Sequence, residues 1–549
     1  MVMTSSAAVS AGRFAFRIVD EEDRREYVAV QRRAPGHSRY GVIASTSSEP
    51  PGSSEGAPRV MGAFDRADRL VAMAGVLPMV VRIGDRDVPG YGVLDVAVDL
   101  LRRSPGAARA LVVRLLADER ANGSAVSLVH PSAPVLHRYL GYEAITPLEL
   151  RTLDRAVVTS IDTSVSDLIP DAAVTDQKRS GRCWTFAGLN VLRTALMKEL
   201  NLESVELSQN FVYFHDKLEK AAAFLARAIV DAERPLDDRE VAASLHEPIG
   251  DGGWWPQFAR LVAKYGVVPH YAMPDTDSAT RSETMNTRLS TLLRRAALRL
   301  RAAVTAGKDP EPIRAAAMED VHRVLSIHLG TPPTDFVWQY RDKDKAFHRV
   351  GTLTPREFAQ RYVTGLEELV VVVHDPRPGI AVNTRFGIDR TDIMVGEPTQ
   401  EHVTAELDVL KAAAIASIQD GEPVWFGCDV AKQREKETGI WDAALHDYEG
   451  LYGVELSMTK AERLLARESM LTHAMCLTGV DLVDGVPRRW RVENSWGDKL
   501  GEKGFHTMND SWFDEYVFQV VVRARRLPAE VRAALEAEPV ILPSWDPIA

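Results

Sequence analysis

The order of hydrophobic patterns along the later part of the chain constrains the fold most. Apolar residues first recur at helical spacing, and the predicted helical stretches are 183–230, 254–265 and 281–305. Further along, the pattern changes to short apolar runs typical of strands, at 369–373, 423–428, 474–480 and 489–493. Helices that precede strands predict an α+β domain with a helical part and a β-rich part.

Residues 13–150 carry a different pattern, which predicts a separate and smaller α/β domain. Short β-branched runs punctuated by glycine precede a helical stretch at 108–123 whose apolar residues lie on one face. The pattern weakens beyond residue 150, where short polar runs appear. We therefore place the domain boundary near 150–165 and assign 165–549 to the α+β domain. A chain of 549 residues is also longer than one hydrophobic core usually organises.

The overall charge and the cysteine content argue against several classes of protein. A formal net charge of −11 opposes the phosphate backbone, so nucleic acid is not an expected partner. The apolar stretch at 70–81 is shorter than the ~20 residues of a spanning helix, and the first residues contain no apolar core of a signal peptide. Three scattered cysteines predict free thiols rather than a disulfide framework. We expect a cytoplasmic protein with no membrane partner.

Cys183 stands where a nucleophilic cysteine is expected. The segment Ser180-Gly181-Arg182 leads into a helical run, and Cys183 occupies the first turn of that run. The free amides and the positive end of the helix dipole favour a thiolate there, and the thiolate is the nucleophilic form. Cys428 and Cys476 lie inside apolar strands, so we interpret them as buried structural residues.

A cysteine nucleophile needs a proton carrier, and His473 is the best candidate. His473 lies in the apolar segment LTHAMCLTGV, and Asn494 follows in RVENSWGD after a second strand. An asparagine amide can orient an imidazole without becoming charged. Gln177, which precedes Cys183 on the same segment, can aim its amide at the substrate carbonyl as an oxyanion donor. Their joint order predicts a cysteine peptidase site.

Around these residues the chain resembles the bleomycin hydrolase and aminopeptidase C family, a papain-like branch of the cysteine peptidases. The resemblance covers about 165–549, and its blocks occur in the order of the family. They are DQKRSGRCWTFAGLN (176–190), ELSQNFVYFHDKLEKA (206–221), DGGWWPQFARLVAKYGVVP (251–269), LTPREFAQRYV (353–363), DGEPVWFGCDV (420–430), SMLTHAMCLTGV (469–480) and RVENSWGDKLGEKGF (491–505).

The resemblance implies a role for each site residue: nucleophile for Cys183, general acid and base for His473, orienting residue for Asn494 and oxyanion donor for Gln177. It further implies that Trp184 and Trp496 border the substrate, with Trp496 shielding the histidine–asparagine hydrogen bond. The implied activity is the removal of amino acids from the N-termini of peptides. The family needs no metal or cofactor for this chemistry, and it assembles as a hexamer around a central chamber.

The C-terminal segment EPVILPSWDPIA resembles the tail that members of this family lay into their own active-site cleft. The resemblance implies that the terminal carboxylate, on Ala549, receives the free amine of the substrate. The segment ends a few residues earlier than the commoner bacterial tail. We therefore expect a shifted cleavage register with some release of dipeptides or some endopeptidase activity.

Residues 13–150 resemble GNAT-type acetyltransferases. The resemblance rests on RSPGAA at 103–108, which lies between a strand and a helix, and on VSLVHPSAPVLHRYLGYE at 126–143. In that family the backbone amides of this loop and the N-terminus of the following helix bind the pyrophosphate of acetyl-CoA. The implied cofactor-binding residues are Arg103, Gly106 and Ala108.

Other functions remain open at this stage. The chain can be a bifunctional acyltransferase whose peptidase domain is a scaffold, or a peptide-binding chamber without turnover. The front domain can equally be a structural or substrate-selecting appendage. A scaffold has no need for Gln177, Cys183, His473 and Asn494 together, so a cysteine aminopeptidase is the favoured interpretation.

Overall fold

The computed structural model describes residues 14–19, 23, 59–83, 86–98, 106–124, 126–129, 162–170, 172–452 and 454–548. The chain divides into two compact units, Met1–Leu150 and Arg151–Ala549. Each unit has its own buried apolar clusters. Within the described ranges, no helix is long and apolar enough to cross a membrane.

The first unit is a small α/β structure, as its sequence pattern predicts. Its described strands form one sheet in chain order: β1 (Ala15–Ile18), β2 (Arg59–Phe64), β3 (Leu70–Ile83), β4 (Arg86–Val98) and β5 (Val126–Val129). β4 and β5 are parallel because helix α1 (Ala107–Ala121) connects them, whereas the other neighbours are antiparallel. Leu111 and Leu115 of α1 are fully buried against the sheet. The helix ends before Gly123, whose φ of 90° suits a residue without a Cβ.

The second unit begins with a short strand and a largely helical part. These elements are β6 (Asp167–Leu168), α2 (Cys183–Glu199), α3 (Gln209–Val230), α4 (Arg239–His246), α5 (Trp255–Tyr265), α6 (Asp277–Thr280), α7 (Glu283–Thr305), α8 (Glu311–Leu329), β7 (Phe336–Arg341), β8 (Phe347–Leu353) and α9 (Pro355–Tyr362). The stretch predicted as helical over 183–230 is divided into α2 and α3. The reason is local, because the Ser208 side chain accepts a hydrogen bond from the Phe211 N–H and caps the start of α3.

The remaining chain is dominated by strands. Its elements are β9 (Leu369–Val373), β10 (Arg385–Ile388), β11 (Gln400–Thr404), α10 (Leu407–Gln419), β12 (Val424–Cys428), β13 (Ile440–Trp441), α11 (Tyr448–Tyr452), α12 (Lys460–Leu465), β14 (His473–Val483), β15 (Val486–Glu493), β16 (Phe505–Asn509), α13 (Asp510–Tyr516), β17 (Val517–Arg523), α14 (Ala529–Leu535) and β18 (Val540–Leu542). Short 3-10 helices lie at His270–Ala272, Leu366–Glu368 and Ala524–Arg526.

These strands join one sheet in the order β13-β16-β15-β14-β12-β17-β9-β11-β10-β18, with β6 paired to β14. The four predicted strand segments correspond to β9, β12, β14 and β15. Helices that precede a mainly antiparallel sheet confirm the predicted α+β class for this unit.

Helix α2 is fixed to the sheet by a buried polar contact. Asn190 Nδ2 donates to Glu493 Oε1 of β15 at 2.9 Å, and the Arg193 guanidinium pairs with the same carboxylate. Arg193 and Glu493 are 2% and 7% exposed, so each needs the other's charge. The Cys476 thiol of β14 donates to the Ala187 carbonyl at 3.2 Å. These contacts hold the first turn of α2 at a fixed distance from β14 and β15.

Buried histidines make the folded second unit sensitive to acid. Burial lowers the pKa of His215, His402, His473 and His506 from 6.5 to about 4. Below pH 6.5 the unfolded chain therefore binds protons that the folded chain does not bind until about pH 4. Stability that is fully present above pH 6.5 is lost as the pH falls towards 4.

Replacing one of these histidines should reduce that loss. His402 is buried and stacks on Phe386 with ring centroids 5.8 Å apart. In the His402→Phe variant, the drop in the free energy of unfolding between about pH 7.5 and about pH 5 should be smaller by about 2 kcal/mol. Urea unfolding followed by tryptophan fluorescence measures this, because every tryptophan lies in the second unit. His270→Phe, at a less buried position, is the control; an equal acid loss in the two variants would contradict the prediction.

Candidate active site

Two distant segments of the chain pair next to the site. The Gln177 N–H donates to the Ser495 carbonyl at 2.9 Å, and the Gly497 N–H donates to the Thr175 carbonyl at 3.0 Å. The pairing aligns Asp176 with Trp496 in an antiparallel bridge. It therefore brings the residues before α2 beside those that follow β15.

Cys183 and His473 line the same cavity. Cys183 is the first residue of α2, and His473 is the first residue of β14. The cavity has a volume of about 590 Å³, and Gln177 and Trp184 also line it. The candidate nucleophile thus comes from the helical part and the candidate base from the sheet, with the cavity between them.

The His473 imidazole is held by Asn494 and covered by Trp496. His473 Nε2 lies 3.0 Å from Asn494 Oδ1, which also accepts the Ser495 N–H at 2.8 Å. Because an amide oxygen only accepts, Nε2 carries the proton and Nδ1 remains free to exchange one. The Trp496 ring stacks on the imidazole at a centroid distance of 5.0 Å. The side chain of Asn494 is almost completely buried, so water does not compete for this hydrogen bond.

Burial opposes a negative charge on Cys183 alone and a positive charge on His473 alone. Burial raises the pKa of the Cys183 thiol, and the negative charge of Asp251 acts in the same direction. The backbone N–H groups of Ala474, Trp184 and Cys183 itself lower that pKa. Burial lowers the pKa of His473 to about 4, although the hydrogen bond to Asn494 acts in the opposite direction and raises it. The amides at the start of α2 act in the direction expected from the sequence, but burial outweighs them. A thiolate and an imidazolium are therefore stable here only as a pair.

Gln177 is oriented by hydrogen bonds on both sides of its amide. Its Oε1 accepts from the Ser495 hydroxyl at 2.6 Å, and its Nε2 donates to the Ser180 carbonyl at 2.6 Å. Because Nε2 carries two protons, one N–H remains for another acceptor. Ser495 has this supporting role, and only its position between Asn494 and Trp496 would have pointed to it in the sequence.

Asp251 organises the turn before Cys183, and sequence reasoning assigned it no role. Its carboxylate accepts the Gly181 N–H at 3.1 Å, Lys217 Nζ at 2.7 Å and the Tyr213 hydroxyl at 2.7 Å. Its backbone carbonyl accepts the indole N–H of Trp184 at 2.8 Å. Trp184, which the resemblance implies borders the substrate, is among the residues that line the cavity, and its side chain is almost completely buried.

Two further residues surround Trp496 and were not predicted. The guanidinium carbon of Arg434 lies 4.7 Å from the Trp496 ring centroid, and the His506 ring meets it edge-on at 5.9 Å. The positive charge of Arg434 also lowers the pKa of His473. Arg434 belongs to a polar loop segment, QREKETG, which carries no periodic signal of a functional role.

The C-terminal tail reaches the cavity. β18 pairs with β10, and Ser544 lines the cavity beyond it. Arg377 donates two hydrogen bonds to the Asp546 carboxylate at 2.8 and 3.0 Å, and Ile548 is buried in the core of the helical part. Ala549, the predicted acceptor of the substrate amine, lies outside the described residues.

The predicted cofactor residues of the first unit are only partly described. Gly106 directly precedes α1 with a φ of 86°, and Ala108 lies in the first turn of that helix. Arg103 falls outside the described residues.

Comparison with known proteins agrees with this architecture. Residues 144–549 match the Peptidase C1-like family, and residues 15–145 match the Acetyltransferase (GNAT) domain. Bleomycin hydrolase of Homo sapiens is 42% identical over 410 residues, which cover 72% of this chain and 90% of the relative. Aminopeptidase C of Lactobacillus delbrueckii subsp. lactis is 39% identical over 395 residues, which cover 71% and 88%.

A solved structure extends the comparison to three dimensions. The crystal structure of PepW from Lactobacillus rhamnosis HN001 superposes with a TM-score of 0.72 at 35% sequence identity, and it covers 81% of this chain and 98% of that one. The match to the peptidase family spans most of the chain, and the relatives are covered almost completely. The chain therefore belongs to the peptidase C1-like family, as a relative of bleomycin hydrolase and aminopeptidase C that also carries a GNAT acetyltransferase domain.

Proposed function

We propose that the chain is a cysteine aminopeptidase that hydrolyses peptide bonds at the N-termini of peptides. The observation that carries the proposal is the shared cavity of Cys183 and His473, in which Asn494 orients the histidine through a buried hydrogen bond of 3.0 Å. The names of the relatives, bleomycin hydrolase and aminopeptidase C, support the same activity.

In the proposed reaction, the Cys183 sulfur attacks the carbonyl carbon of the substrate and its proton passes to Nδ1 of His473. The backbone N–H of Cys183 and the remaining N–H of Gln177 donate to the developing oxyanion. The C–N bond then breaks, and the leaving amine takes the proton from His473, which leaves a thioester on Cys183. Water next gives a proton to His473 and attacks the thioester. The carboxylic acid product departs and the thiol is restored.

Replacement of the nucleophile tests the proposal directly. Cys183→Ala should lower kcat/KM for aminoacyl fluorogenic substrates by a factor on the order of 10³ or more, because the other two thiols, Cys428 and Cys476, are fully buried and do not line the cavity. Cys428→Ala, which removes a fully buried thiol from β12, is the matched control and should retain activity. Similar rates for the wild type and Cys183→Ala would contradict the cysteine mechanism.

The tail supports the exopeptidase part of the proposal. Arg377 and Asp546 are 9% and 7% exposed in their side chains, and their two hydrogen bonds hold the tail where Ser544 borders the cavity. A tail in this position occupies space along the cleft. We propose that it limits how many residues of a peptide extend past the cleaved bond.

Loosening the tail should therefore lengthen the released fragments. Asp546→Asn removes the ion pair with Arg377, so mass spectrometry of a digested decapeptide should show a severalfold larger share of fragments longer than one residue. Glu538→Gln, at an exposed position in the same tail, should leave the distribution unchanged. An identical fragment pattern for Asp546→Asn and the wild type would refute this role of the tail.

The first unit favours a second, independent activity. The match of residues 15–145 to the Acetyltransferase (GNAT) domain supports binding of acetyl-CoA at the loop before α1. Gly106 has a φ of 86° directly before α1, and the first N–H groups of a helix, which have no intrahelical acceptor, suit an anion. We propose that Arg103, Gly106 and Ala108 bind the pyrophosphate of this cofactor.

Calorimetric titration with acetyl-CoA distinguishes a binding domain from a structural one. Saturable heat should appear with the wild type and weaken roughly tenfold or more in affinity for Gly106→Ala, because a side chain strains the loop at positive φ. Gly123→Ala is a matched control, since Gly123 has a φ of 90° at the other end of α1. Absence of heat with the wild type at high ligand concentration would leave only the structural role.

The resemblance to the bleomycin hydrolase and aminopeptidase C family also supports a proposal for the oligomeric state and the cellular compartment. We propose a cytoplasmic homo-hexamer whose active sites face an internal chamber. Such an arrangement would admit extended peptides and exclude folded proteins.

A further inference from the structure

Several charged side chains line the cavity that contains Cys183. Three cations line it, on Lys220, Arg227 and Arg390, together with the carboxylates of Glu240 and Glu247. Their partners decide which charge a substrate would meet, because a paired ion offers little attraction to a ligand.

Lys220 has no free donor. Its ammonium group donates to Asp216 Oδ2 at 2.9 Å, to the Gly250 carbonyl at 2.9 Å and to the Gly252 carbonyl at 2.5 Å. An ammonium group has three protons, and these three acceptors use all of them. Lys220 therefore shapes the glycine-rich loop at the cavity and is not available to a substrate carboxylate.

The two arginines are neutralised as well. Arg227 pairs with Asp392 at 2.9 Å. Arg390 donates to both oxygens of Asp231, at 2.7 and 3.1 Å, and also pairs with Glu240 at 2.8 Å. The positive charges at the cavity are thus balanced, and the Glu240 carboxylate is occupied too.

Glu247 differs from these four residues in the surroundings of its charged group. Its carboxylate is exposed at the cavity and, among the residues that the structure describes, has no hydrogen-bond or ion-pair partner. A Cβ built on Gly250 would lie only 2.5 Å from Glu247 Oε1, so the carboxylate lies directly against the glycine-rich loop. The missing side chain at Gly250 is what leaves room for it.

The end of helix α4 adds to the negative potential at this point. Glu247 directly follows the last residue of α4, and Ala243 and Ser244 of its last turns also line the cavity. The C-terminal end of a helix carries partial negative charge and favours cations. The carboxylate and the helix end therefore act in the same direction on a ligand.

We propose that Glu247 is a specificity-determining residue that binds a cationic group of the peptide substrate. The group is an ammonium or guanidinium, carried either by a basic side chain or by the free N-terminus. This inference rests on the proposed peptidase function, because it assigns the ligand of the same cavity. If the cation is a basic side chain, basic peptides are the preferred substrates; if it is the free N-terminus, peptides with a free amine are preferred whatever their sequence.

Matched peptide pairs test the proposal. Two pairs contain arginine or its neutral isostere citrulline at the first or the second residue, and a third pair has a free or an acetylated N-terminus. The wild type should cleave the cationic member of at least one pair with a roughly three- to tenfold higher kcat/KM than its neutral partner. In Glu247→Gln this ratio should shrink towards that of an uncharged site, while cleavage of the citrulline peptides is retained.

The pair whose ratio changes identifies the source of the cation. Glu319→Gln, at an exposed position on α8 away from the cavity, is the control and should keep the wild-type ratios. Equal ratios in the wild type and Glu247→Gln for all three pairs would overturn the role of Glu247 and leave the peptidase function intact. Failure of the wild type to cleave any of the peptides would instead contradict the proposed function, and with it this inference.

Discussion

The pairing between residues 175–177 and 495–497 is the contact on which the site depends. Two backbone hydrogen bonds, from Gln177 to Ser495 and from Gly497 to Thr175, join chain segments that lie more than half the sequence apart. The Ser495 hydroxyl adds a side-chain bond to Gln177 in the same place. Because Asn494 adjoins one segment and the other leads directly to Cys183, one short pairing sets the positions of Gln177, Cys183 and Asn494.

Helix α2 makes a second set of contacts with the same part of the sheet. Its first residue is Cys183, and two turns later Asn190 and Arg193 contact Glu493, the residue before Asn494. Glu493 at the end of β15 therefore contacts the interior of α2, and the next residue, Asn494, orients the His473 imidazole. A buried ion pair contributes little net stability, but the loss of either partner would leave the charge of the other buried and uncompensated.

The spacing of apolar residues predicted the helices and strands, because these elements form from residues that are close in sequence. The helix that begins at Cys183 and the strands β9, β12, β14 and β15 follow from apolar spacing. The four candidate residues were chosen for their joint order along the chain, each in a suitable local context. Ser495 and Asp251 were not assigned roles, since their functions arise from partners such as Gln177 and Gly181 that are distant in sequence. The same applies to the pKa of the thiol, because burial is a property of the whole fold, whereas the helix start is a property of a few residues.

The anchoring of the tail has a practical consequence for work with the protein. Ile548 is 2% exposed and packs in the core of the helical part, and Asp546 is fixed by Arg377 two residues earlier. An affinity tag added behind this segment would have to leave from a buried position next to the cleft. Such a fusion would disturb the packing of Ile548 and the pairing of Asp546 with Arg377, so activity should be compared with protein from which the tag has been removed.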